Sequence, residues 1–90
     1  MKYELDSLNE VLTYIEFFKS SMTDYELLTA IQDQMDKHDI SKQFISNFYD
    51  VYASRSYIHP GPVTLASIKL YEIITELESK CKHDLTNKQQ

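Results

Sequence analysis

Four groups of residues in this chain could carry chemistry. Cys81-Lys82-His83 puts a thiol and an imidazole close together, with His38 and His59 as the other histidines. A structural zinc site uses four ligands, usually in paired spacings. No spacing recurs here, so the triplet reads as a small apolar residue beside a surface histidine. Asp33 and Asp36, with Asp39 beyond them, form an acidic cluster but lack the glycine and closing glutamate of a calcium loop. A solvated helix face accounts for them. Serine, histidine and aspartate all occur, yet no nucleophile elbow does. Paired carboxylates would need a pocket that raises one pKa, and 90 residues leave little volume to build one. Neither an enzyme nor a cofactor is expected. The fourth group is the tyrosines, seven in all. Tyr49, Tyr52 and Tyr57 surround the exit of the third helical segment, and Tyr71 lies on the fourth. Any one of them could simply close the rim of a small core. As a group they point to a protein partner, because tyrosine is large, stiff and half-polar.

The elements that position these residues are helical. The single glycine and both prolines fall in one stretch, Pro60-Gly61-Pro62, and the low count argues against the many turns of an all-β fold. Ser7-Leu8-Asn9-Glu10 reads as a capping box that opens a helix over 8–20, with Leu8, Val11, Leu12, Ile15 and Phe18 on its apolar stripe. Thr23-Asp24-Tyr25-Glu26 is a second capping box, opening a helix over 24–37 with Leu27, Leu28, Ile31 and Met35. Asp39 or Ser41 can cap a third helix over 41–56, striped by Phe44, Ile45, Phe48, Val51 and Tyr52. Pro62 suits the first position of a fourth helix over 62–82. Its face carries Val63, Ala66, Leu70, Ile73, Leu77 and Cys81. The short connections predict an antiparallel four-helix bundle spanning 1–82. Residues 83–90 read as a flexible polar tail. Leu12, Ile15, Leu28, Ile31, Ile45, Phe48, Leu70, Ile73 and Leu77 are the expected core.

Charge and composition narrow the partners. The formal net charge of -5 repels phosphate backbones, so nucleic acid is not an expected partner. No stretch approaches the roughly 20 apolar residues of a membrane span. The opening Met1-Lys2-Tyr3-Glu4-Leu5-Asp6 has no apolar core of a secretory signal. A single cysteine fits a reducing cytoplasm. The basic residues collect late in the chain. Tyr52, Arg55, Tyr57, His59, Lys69, Tyr71, Lys80 and Lys82 are therefore expected to form a partner-binding surface with a positive sign of its own. Arg55 is the only arginine. Self-association into a homodimer stays open.

Ile45, Asn47, Phe48, Tyr52, Ala53 and Ile58, followed by an amphipathic helix, resemble the third and fourth helices of bacteriocin immunity proteins of the enterocin A immunity type. The resemblance covers about Tyr25 to Leu77. It implies a cytoplasmic four-helix bundle that protects a producer cell without turnover. The implied partner is a membrane permease of the mannose phosphotransferase type, jammed by bacteriocin and reached from inside. It also implies that the last helix and the segment after it choose the target. A different class stays open beside it, a helical regulator that docks a kinase or transcription factor on an amphipathic face.

Overall fold

Thr23 shows most directly how this sequence folds itself locally. Its hydroxyl accepts the Glu26 N–H at 3.1 Å, and the Glu26 carboxylate accepts the Thr23 N–H at 2.9 Å. Both halves of the expected capping box are thus made, and α2 runs Asp24–Lys37. The computed structural model describes residues 2–54 and 60–88, with side chains over 5–54 and 60–82. Among the described residues there are four helices and no strand: α1 Lys2–Phe18, α2, α3 Lys42–Ala53 and α4 Pro62–Lys88. The fold is all-α.

Four helix boundaries differ from expectation. α1 starts at Lys2, so Ser7 lies inside the helix rather than capping it. Leu5 is one turn before Leu8 and packs against the core, which rewards extending the helix toward the N-terminus. α1 also stops at Phe18, where the Ser21 hydroxyl and N–H both donate to the Phe18 carbonyl, at 3.1 and 3.0 Å. The stretch expected as a polar tail is helical through Lys88. No glycine or proline interrupts it, and adding a residue to an existing helix costs far less than starting one. α3 begins after Ser41, whose hydroxyl accepts the Phe44 N–H at 3.0 Å. It ends at Ala53 rather than 56, with Ser54 as its cap.

Asp39 has a different task from capping α3. It sits in the left-handed region at φ 57° and closes α2. The Ile40 N–H reaches back to the Met35 carbonyl at 2.8 Å, and the Asp39 N–H to that of Asp36 at 3.2 Å. This is a Schellman closure, with Met35 and Ile40 both buried as its accompanying apolar pair. Pro62 does open α4, and the Gly61 carbonyl accepts the Leu65 N–H at 3.0 Å. Gly61 itself is not needed for its freedom: its φ is ordinary, and an added Cβ would meet nothing.

α4 is the organising helix. It packs against α1, α2 and α3, and α1 also packs against α2. Among the described residues, α3 approaches no helix closely except α4. At about 1.5 Å per residue, the 27 residues of α4 account for most of the 44 Å long axis. The core joins Leu8, Val11 and Ile15 of α1 to Leu27, Ile31 and Met35 of α2. Ile40 of the α2–α3 connection, Ile45 of α3 and Ala66, Leu70, Ile74 and Leu77 of α4 complete it. Of the expected core, Ile15, Ile31, Ile45, Leu70 and Leu77 are buried, whereas Leu12, Leu28, Phe48 and Ile73 are only half-buried. Leu12, Leu28 and Ile73 each lie at the edge of their stripe, one residue from the buried Val11, Leu27 and Ile74, whereas Phe48 lies three residues from Ile45, the one buried residue of α3. Val51 and Tyr52, expected on the α3 stripe, are exposed. Early in α4, Thr64, Ala66, Ser67 and Ile68 are all buried, more of the circumference than one apolar stripe covers. A helix flanked by three others is hidden on more than one side.

Candidate binding site between the third and fourth helices

Two contacts set the register of α3 on α4. Lys42, the first residue of α3, places its ammonium 2.8 Å from one Glu78 oxygen and 2.9 Å from the other. About two turns along α3, Tyr49 stacks on Tyr71, about two turns back along α4. Their ring centroids are 4.6 Å apart and their planes 26° apart. These two helices therefore run in opposite directions. Both tyrosines are half-buried.

Beside the stacked rings lies an open groove of about 500 Å³, its second wall made by Glu72, Thr75, Glu76, Ser79 and Lys80 of α4. The Thr75 hydroxyl donates to the Tyr71 carbonyl at 2.8 Å, so its proton is committed to its own helix. Lys80 sits 3.6 Å from Glu76, a turn away, with both side chains more than half exposed. No ion pair among the described residues involves Glu72. The groove's formal charge, two carboxylates against one ammonium, is one negative unit. Its chemistry is aromatic and anionic. A second, smaller hollow of about 260 Å³ lies where the end of α2 and the 39–41 connection meet α4, between Met35, Ile40 and Ile74.

Of the surface expected from the sequence, the structure brings Tyr71 and Lys80 to this groove. Tyr52 is exposed near the end of α3, and Lys69 and Lys82 are exposed on α4, none of them lining it. Arg55, Tyr57 and His59 lie outside the described residues. The positive sign expected for this region does not describe the groove, where Glu72 and Glu76 outnumber Lys80. The reason is helical geometry. Residues two apart on a helix, such as Lys80 and Lys82, point about 200° apart and cannot share one face. Glu72 and Glu76 were missed, although their four-residue spacing beside Tyr71 and Thr75 is the signal of a shared face.

The other residues singled out for chemistry stay apart. Cys81 is a free, half-buried thiol. His38 caps the end of α2 and places Nε2 3.0 Å from the Glu10 carboxylate of α1, a tie between two helices rather than a ligand. Among the described residues no three His, Cys, Asp or Glu are grouped to hold a metal ion. No helix among them is long and apolar enough to cross a membrane. No family model, curated protein or solved structure matches the chain.

Proposed function

We propose that this chain is a non-enzymatic protein-binding bundle, and that its task is immunity to a pore-forming peptide bacteriocin. The observation that carries the binding reading is the open α3–α4 groove with the Tyr49–Tyr71 stack along one side. Tyrosine is a favoured anchor at interfaces, since it contributes large contact area at low entropic cost. The exposed Tyr52, three residues from Tyr49 on the same helix, extends the aromatic surface available to a partner. The immunity reading rests on the resemblance carried by Ile45, Asn47, Phe48, Tyr52, Ala53 and Ile58. In it the partner is a mannose-phosphotransferase-type permease bound by bacteriocin and met from the cytoplasmic side.

The test is expression in a bacteriocin-sensitive strain challenged with a panel of pediocin-like bacteriocins. Survival against at least one member is expected, and a folded Tyr49→Ala, Tyr71→Ala variant should lose it. No protection against any member overturns the immunity reading. Full protection by the double variant overturns the role of the groove.

A further inference from the structure

We infer that the α3–α4 groove receives a basic side chain, an arginine in first place, projected from a segment of a partner protein. The inference rests on the groove being the partner surface and adds what the partner must bring to it.

Three features of the groove point to this occupant. The first is charge: Glu72 and Glu76 against Lys80 leave one negative unit uncompensated, the complement of a single cation. The second is how loosely that charge is held. Glu72 has no ionic partner among the described residues, and the Glu76–Lys80 contact at 3.6 Å joins two exposed side chains, a class of pair that contributes little. An incoming cation therefore displaces no strong interaction. Lys80 also shows that an ammonium is already accommodated against this wall.

The third feature is the pair of tyrosine rings beside the carboxylates. An aromatic face attracts a cation through its quadrupole, and arginine can stack its plane on the ring while its fork reaches a carboxylate. Lysine can make the charge contact but not the planar one. The size agrees: about 500 Å³ falls within the range of roughly 300–1,000 Å³ usual for ligand sites. The groove is open along one side, which suits a side chain presented from a surface. The smaller hollow near Ile74 has no such pairing of aromatic and anionic groups.

The test uses the full chain and follows its amide signals by NMR. It is titrated with the blocked peptide acetyl-Ala-Arg-Ala-amide, with acetyl-Ala-Glu-Ala-amide at the same ionic strength, and with spermidine. The arginine peptide is expected to give saturable shifts at Tyr49, Tyr71, Glu72 and Glu76, and the glutamate peptide none there. Glu72→Gln, at an exposed position, should weaken binding about two- to fivefold, the size expected for one exposed charge contact. Tyr71→Leu should weaken it similarly, and Tyr71→Phe, which keeps a ring to stack, should bind close to the parent. The inference is overturned if the groove signals do not move, if both peptides move them equally, or if Glu72→Gln binds as well as the parent. It is also overturned if spermidine saturates the groove far more tightly than the peptide, which would make it a small-cation site. The bacteriocin challenge reads a different outcome: protection without arginine binding sinks this inference alone, and arginine binding without protection sinks the immunity reading alone.

Discussion

α2 and α3 are neighbours in sequence, of similar length, and each opens on a hydroxyl cap, yet they are held very differently. α2 buries Leu27, Ile31 and Met35 and packs against both α1 and α4. Its start is capped twice over, and its end is closed by the Asp39 turn and tied to Glu10 through His38. α3 buries Ile45 alone and lies against α4 alone. Its remaining links to α4 include one exposed ion pair and one ring stack on the wall of an open groove. The difference teaches that a helix's period does not decide how firmly it is held. The number of other helices its face meets does. It also places the candidate site on the less secured side of the molecule, where an element can adjust to a partner at low cost.

The largest effects that can break this comparison come from core truncation. Leu70→Ala, Ile31→Ala and Ile45→Ala each remove a side chain with no exposed surface and should each cost about 2–5 kcal/mol. Their hydrogen-exchange patterns should differ. Leu70→Ala should weaken protection in all four helices, because α4 touches the other three. Ile45→Ala should release α3 first and leave α1 and α2 closer to the parent. Uniform loss in both variants would show that α3 is as integral as α2. Leu28→Ala, at a half-buried position, should cost less than Leu70→Ala in chemical denaturation.

Ser67 tests the central place of α4 from the opposite direction. Its side chain is fully buried and its hydroxyl has no hydrogen-bond partner among the described residues. An unsatisfied buried hydroxyl costs on the order of 1–3 kcal/mol. Ser67→Ala should therefore stabilise the fold by about 1 kcal/mol, read as a higher denaturant midpoint. A destabilised variant would show that the hydroxyl is satisfied after all.

The caps sharpen the contrast at a smaller scale. Thr23→Ala removes the hydroxyl that accepts the Glu26 N–H but keeps the backbone N–H that donates to the Glu26 carboxylate, and Ser41→Ala removes the hydroxyl that accepts the Phe44 N–H. Each should cost about 1 kcal/mol within the usual range for caps. The Ser41 change should raise exchange mainly in α3, whereas the Thr23 change should be felt through α1 and α4 as well. The smallest effect belongs to Lys42 and Glu78. Their double-mutant coupling should be roughly 0.2–1 kcal/mol at low salt and fade as salt is raised, since both side chains are substantially exposed. A coupling that ignored salt would mean a better-shielded link between α3 and α4.

Much of the architecture was legible in local signals. Thr23-Asp24-Tyr25-Glu26, Ser41 and Pro62 start helices where they were expected to, because a cap or a proline acts within one turn and needs nothing from the rest of the chain. The helical type of all four segments followed from the 3.6-residue period. Ser7-Leu8-Asn9-Glu10 failed as a start signal because Leu5, one turn earlier, had core to cover. Leu28 and Leu27 are alike in sequence. The face that α1 and α4 present to α2 decides which is buried.

The site was less legible for the same reason. Counting basic residues along the chain grouped Lys82 with Lys80, although a helix turns residues two apart to opposite faces. The anionic groove appears only once Tyr49 is laid on Tyr71, residues separated by the Pro60-Gly61-Pro62 break. By itself the sequence determined which segments are helical, where two of them are capped, and where the chain breaks. The tertiary structure alone decided that α4 is shared by all, that α3 has one neighbour, and that two tyrosines and two glutamates meet. Caps and periodicity are short-range, while the choice of neighbour depends on how apolar faces far apart in the chain fit together.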